Sequence, residues 1–247
     1  MRRFLPLLLL FTTLSAGTVN LALSANVSYA AADLVAAFGK HHPGTKVRVT
    51  LGSSGKLTAQ ILHGAPYTLF LSADMKYPEA LYEKGLAVTK PVVYAEGTLA
   101  LFSKKPRDFS KGLALLADAS VRRIAIANPR SAPYGKAALQ AIRSAELPAE
   151  VEKKFIYGES VSQTTAYAMT AADVGLIAAS SLHSPKMARF EKRRHWITVD
   201  PKLYTPIAQG IVILKKGAHD PETKAFYDFM LGRESRAILA RYGYRLP

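Results

Sequence analysis

The sequence predicts an α/β fold of two lobes with a ligand cleft between them. Three observations predict it. Strand-like apolar runs alternate with runs of helical period, the order that builds parallel β-α-β units. Four strand-to-helix turns carry small or polar residues, two in each half of the chain. No Gly/Ser/Pro-rich linker, internal repeat or low-complexity stretch divides the chain, so ordered crossings must join the halves.

Residues 18–24 form the first strand, with Val19, Leu21 and Leu23 on one face. From Val27 the period changes. Val27, Ala30, Ala31, Leu34, Val35 and Phe38 recur at helical spacing, with Asn26 as N-cap and Gly39 near the end. His42-Pro43-Gly44 turns the chain into a second strand, 46–51. A helix from about Gly55 buries Leu57, Ile61 and Leu62 and stops at Gly64-Ala65-Pro66. Residues 69–71 make the third strand, and 78–83 a short helix closed by Gly85. The alternation recurs with a strand at 124–127 and a loop, 128–135, leading into a helix over 136–144. A strand at 154–157, a helix from Val161 through Met169 and a strand at 173–178 follow. The crossings between lobes are expected near Glu96-Gly97 and Gln209-Gly210. That divides the mature chain into 18–96 with 210–247, and 97–209.

The amino terminus reads as a secretory signal peptide over residues 1–17. Arg2-Arg3 precedes a short apolar run to Phe11, and the small residues Ser15-Ala16-Gly17 follow, with cleavage after Ala16 or Gly17. The apolar run is too short to span a bilayer, and no later run approaches the ~20 residues a spanning helix needs. With no cysteine, the chain has no disulfide, thiol nucleophile, thiolate metal site or cysteine-linked lipid anchor. An exported binding protein without an anchor needs an outer membrane to retain it, which points to a periplasm. About 230 mature residues suffice for one large domain or two small ones.

The formal charge of +15, less the two signal arginines, is +13. Its densest clusters, Lys104-Lys105-Pro106-Arg107 and Lys192-Arg193-Arg194, are not interleaved with stacking aromatics. A solvated basic surface that attracts small anions is the expectation, not a nucleic-acid interface. His41-His42 sit together and His63, His183, His195 and His219 are scattered, so no metal-ligand set is expected. No Gly-x-Ser-x-Gly elbow or His-Glu-x-x-His pair supports an exported hydrolase.

The candidate site lies at the four turns: Asn26, Ser54, Tyr134 and Val161. Parallel sheets bind ligands at the carboxyl ends of their strands, where these turns lie. Helix N-termini carry unsatisfied N–H donors and a partial positive charge, which suits an anion. Neither Asn26 nor Ser54 has a nucleophile–base pair beside it, so the turns read as binding, not catalysis. Lys56 and Lys136, near two helix starts, are expected to strengthen anion attraction.

Ala25-Asn26-Val27, Gly52-Ser53-Ser54-Gly55, His63-Gly64-Ala65-Pro66 with Leu69-Phe70-Leu71-Ser72-Ala73-Asp74, Pro133-Tyr134-Gly135-Lys136-Ala137, Glu159-Ser160-Val161, and Lys224 to Phe229 with Arg241-Tyr242-Gly243 follow one another along the mature chain. In this order they resemble the periplasmic molybdate-binding proteins of ABC transporters. The resemblance implies a two-lobed type II periplasmic binding protein fold that closes on molybdate or tungstate and delivers it to a membrane ABC permease. It implies a monomer with no cofactor and no catalytic residue, the molybdenum held only through its oxygens. Donors would come from Asn26, Ser54 and the backbone at Tyr134 and Val161. Two positions depart from the pattern. Ala178 stands where some members place a tyrosine hydroxyl on the ligand, and Tyr67-Thr68 replaces a frequent Ala-Asp. Molybdate is a dianion whose oxygens only accept, so its site wants donors and no carboxylate, and none of the four turn positions is acidic. Sulfate or another tetrahedral oxyanion stays open as an alternative ligand.

Overall fold

Both halves of the chain build the same kind of sheet, because each supplies short strands apolar on both faces with helices between them. The computed structural model describes residues 17–247. The expected signal peptide lies outside the described residues, apart from Gly17. The first stretch runs β1 (Thr18–Ser24), α1 (Ser28–His41), β2 (Lys46–Gly52), α2 (Ser54–Leu62), β3 (Leu69–Leu71), α3 (Lys76–Glu83) and β4 (Val92–Gly97). The middle stretch runs β5 (Leu99–Phe102), β6 (Ile124–Ala127), α4 (Pro133–Ser144), β7 (Phe155–Gly158), α5 (Val161–Thr170), β8 (Val174–Ala178) and β9 (Trp196–Thr198). The chain ends with β10 (Ile207–Ile213), α6 (Pro221–Leu231) and α7 (Arg233–Arg241).

Two five-stranded sheets result, ordered β2-β1-β3-β10-β4 and β7-β6-β8-β5-β9. In the first, β1 runs parallel to β2 and β3, and β10 antiparallel to β3 and β4. In the second, β6 runs parallel to β7 and β8, and β5 antiparallel to β8 and β9. The chain leaves the first sheet after β4, with Thr98 alone between Gly97 and Leu99, and re-enters it at β10. The carboxyl-terminal tail returns to the first crossing, where Glu96 and Arg245 exchange backbone hydrogen bonds of 2.7 and 3.0 Å. No helix among the described residues is long and apolar enough to cross a membrane.

Each sheet is covered on both faces, as near-continuous apolar strands require. On one side of the first sheet Val19, Leu21 and Leu23 meet Leu34 and Phe38 of α1 and Phe226 and Met230 of α6. On the other, Ala22 and Phe70 meet Leu57 and Ile61 of α2 and Leu81 of α3. Leu62, expected in this core, is instead 48 % exposed, because Leu57 and Ile61 already fill the inward stripe of α2. In the second sheet Leu99, Leu101, Ile124 and Ile126 face Ala138, Ala141 and Ile142 of α4, while Ala125 and Ile177 face Ala168 of α5.

Several helix starts differ from expectation. A 3-10 turn, Ala25–Val27, precedes α1, whose N-cap is Val27 rather than Asn26. The α4 helix starts at Pro133, which occupies its first position, so residues that read as loop form its first turn.

Candidate functional site

Asn26, Ser54, Tyr134 and Val161, read from the sequence as site residues, line one small cavity between the sheets, together with Ser24, Ser53, Ala73 and Ala132. None of its lining residues is charged. The cavity is tight: about 10 Å³, the space a single water needs.

Three helix N-termini converge there. The α2 helix is capped by Ser53, whose Oγ accepts from the Lys56 amide at 3.4 Å. Ser54, its first residue, is fully buried. Its Oγ accepts from the Ala73 amide at 2.9 Å, which leaves its own hydrogen to donate. The α4 helix has Ala132 as N-cap, with no capping side chain, and Pro133 has no N–H. Tyr134 thus supplies the first amide of α4, and an amide in the first turn has no intrahelical acceptor. Val161 does the same for α5, capped by Ser160, whose Oγ accepts from the Gln163 amide at 3.3 Å.

Asn26 reaches the cavity differently. Its amide does not cap a helix: Nδ2 donates to Gln209 Oε1 at 2.9 Å and to the Tyr244 hydroxyl at 3.0 Å. Tyr94 also donates to Gln209 Oε1, at 2.8 Å. The Asn26 backbone oxygen accepts from Tyr244 and from Ser180, both at 2.8 Å. Tyr94, Tyr134 and Tyr244 are buried, and burial pushes their hydroxyl pKa values upward, so all three stay neutral hydrogen-bonding groups. Tyr94, Tyr244 and Ser180 are not among the residues expected at the site, and Gln209 is expected only as a lobe crossing. Only Gln209 carried a signal in the sequence, as the one polar side chain in the run Ile207 to Ile213. Ala178 is fully buried at the end of β8 and does not line the cavity.

Direct contacts join the sheets around the cavity. The Gly55 amide donates to Ser131 O at 2.9 Å, and Lys56 Nζ pairs with Glu159 at 2.6 Å. A Cβ at Gly55 would meet the Ser131 Cα and O at 2.9 Å, so the backbones approach this closely only with glycine there. Lys56 is therefore engaged by a carboxylate of the opposite half rather than free to meet an anion. Lys136 lies near Asp74, whose carboxyl pKa is raised by burial and held back by the Tyr77 amide, Ser72 and Lys136. Among the described residues no cluster of three His, Cys, Asp or Glu side chains could hold a metal ion.

Residues 19–245 match the family of bacterial extracellular solute-binding proteins. The chain belongs to this family. Within it, the chain is 38 % identical to the molybdate-binding protein ModA of Rhodobacter capsulatus, over 93 % of this chain and 89 % of that protein. It is 34 % identical to ModA of Azotobacter vinelandii, over 96 % and 94 %. The solved Azotobacter vinelandii periplasmic molybdate-binding protein superposes with a TM-score of 0.86 at 33 % identity, covering 93 % of this chain and 99 % of that one. The family's two-lobed architecture is the one described here, with the small uncharged cavity between the lobes.

Proposed function

We propose that this solute-binding protein works in the periplasm, where it captures molybdate or tungstate between its lobes and delivers it to a membrane ABC permease as a monomer. The expected division is 18–96 with 210–247, and 97–209; because β4 ends at Gly97 and β10 begins at Ile207, both in the first sheet, we draw the lobes as 18–97 with 207–247, and 98–206. The ligand is held by Asn26, the Ser54 hydroxyl and the Tyr134 and Val161 amides. The molybdenum is held through its oxygens alone, and no bond in the ligand is broken. One observation carries the reading: an uncharged cavity on which three helix N-termini and two polar side chains converge. Such a site offers donors and positive dipole ends to an ion that has only acceptors and two negative charges. The names of the relatives support molybdate as the ion.

A second reading, in which the ion is sulfate, draws on the same uncharged, donor-lined cavity, which suits any fully ionised tetrahedral oxyanion. Either ion is larger than one water, so binding it requires the lobes to part and re-close around it. Thermal unfolding with added oxyanions decides between the two. Ligand at about 100 times Kd adds ~2.7 kcal/mol, or roughly 5–10 °C for a chain of this size. Molybdate and tungstate should give this shift while sulfate and phosphate do not. An equal shift with sulfate would overturn the assignment to molybdate.

A further inference from the structure

Buried polar atoms are almost always hydrogen-bonded, so a cluster of unpaired ones calls for an explanation. Three such atoms cluster together: Asn26 Oδ1 and the Tyr134 hydroxyl, on residues that line the cavity, and Gln209 Nε2, on a residue that does not. They belong to one connected group. The Gln209 and Asn26 amides face each other, and a Cβ at Gly97 would collide with the Tyr134 hydroxyl and lie 2.8 Å from Gln209 Nε2. Tyr134 comes from α4 of the second sheet, whereas Gln209 and Gly97 sit on β10 and β4 of the first. Gln209 is fully buried, beside a register shift between Gln209 and Gly210. Such bulges re-aim a side chain.

We propose that Gln209 is a positioning residue that turns the Asn26 amide so its NH2 faces the bound oxyanion, with the Tyr134 hydroxyl setting the orientation of Gln209 from the other lobe. This rests on the oxyanion reading above. Turning both amides by half a rotation about their last side-chain bond repairs all three unpaired atoms. Gln209 Nε2 then donates to Asn26 Oδ1 and to the Tyr94 hydroxyl, and Tyr244 turns its one hydrogen to Asn26 Oδ1, leaving the Asn26 backbone oxygen to Ser180. Gln209 Oε1 accepts from Tyr134, and Asn26 Nδ2 is released toward the cavity, where an oxyanion accepts from it. In the unturned arrangement the Asn26 NH2 is spent on Gln209 and Tyr244, and only its carbonyl oxygen is left to meet the ligand. An oxyanion repels that oxygen, so the loaded state requires the turned arrangement. Because Tyr134 also supplies a backbone donor to the cavity, closing the second lobe places that donor and sets the amide pair in one movement.

Tungstate affinity measured by calorimetry tests this in two backgrounds. Gln209→Met removes both amide groups with a side chain of similar length. It should weaken binding about tenfold or more where Asn26 is present. In an Asn26→Ser background the donor is a hydroxyl that rotates freely, so Gln209→Met should change affinity less than twofold. A Gln209 that merely supports the fold would cost the same in both backgrounds, and that result overturns the proposal, as does an unchanged affinity in the Asn26 background. If thermal melts show Gln209→Met unfolded, Tyr134→Phe carries the same comparison, since it removes the hydroxyl and keeps the Tyr134 amide. Wild-type protein that takes up no tungstate or molybdate would overturn the oxyanion reading itself. Wild-type binding with an indifferent Gln209→Met would overturn the positioning role alone.

Discussion

At the scale of single residues, the site depends on what each polar atom has left to give. Ser54 spends its acceptor on Ala73 and keeps a donor, while the cavity as a whole lacks a charge. Replacing Asn26 with aspartate puts an acceptor-only, negatively charged group against a dianion. Asn26→Asp should therefore abolish the tungstate-induced thermal shift, and a retained shift would remove Asn26 from the site. The sequence places Asn26 at the end of a strand, but the hydrogen bonds its side chain makes are not legible there. An Asn before a helix reads as an N-cap, whereas its actual partners lie 183 and 218 residues away. No local pattern reports such distant pairing. Asp74 gives a prediction of a different kind. Burial raises its carboxyl pKa above the ordinary 3.8, so the folded state holds the proton more tightly than the unfolded chain does. Its contribution is fully present below the unfolded value and lost as pH rises through the folded one. Asn keeps an oxygen to accept from the Tyr77 amide and Ser72. Asp74→Asn should accordingly raise Tm at pH 7 and give no gain at pH 3; equal gains at both would disprove the charge argument.

At the scale of elements, the four strand-to-helix turns were readable because each joins a change of period to a small or polar residue. The start of α4 was read three residues late, because Pro133-Tyr134-Gly135 has loop composition but fills a helical first turn, where a missing N–H costs nothing. The strands β4, β5, β9 and β10 were not assigned from sequence. β9 has only three residues, and Gln209-Gly210 interrupts the apolar run of β10. Their pairing is long-range and antiparallel, set by the two crossings rather than by local pattern. The approach of α2 to the loop before α4 is an element-scale contact with a single-residue test. Gly55→Ala puts a methyl 2.9 Å from the Ser131 backbone, an overlap that costs about 1–3 kcal/mol when neighbours cannot yield. Within its own lobe the methyl meets only the Tyr77 hydroxyl, at 2.7 Å, the far end of a side chain that can swing aside, so the overlap that cannot yield is with the Ser131 backbone of the other lobe. Tungstate affinity should fall about tenfold while the lobes keep their own packing, read as far-ultraviolet circular dichroism unchanged from wild type. Unchanged affinity would mean that the lobes can close without the Gly55–Ser131 contact.

At the scale of the whole molecule, the question is what brings a dianion to a cleft that carries no charge of its own. The formal +13 of residues 18–247 is spread over the surface rather than gathered at the cavity. Of the two lysines expected to draw the anion, Lys56 is paired with Glu159, while Lys136 stands near Asp74. Attraction should then come from the summed field, which acts over tens of ångströms at low salt. Salt screens such a field, with a Debye length of about 30 Å at 0.01 M and ~8 Å at 0.15 M. Tungstate association followed by stopped-flow tyrosine fluorescence should slow severalfold between these ionic strengths. The Lys56→Gln/Lys136→Gln double variant removes two of many distributed charges, and Lys56→Gln breaks an exposed pair worth only ~0.2–1 kcal/mol. Its association rate at low salt should stay within twofold of wild type and keep the same salt dependence. A rate that collapses in the double variant would place the steering in those two side chains and refute a field shared by the whole surface.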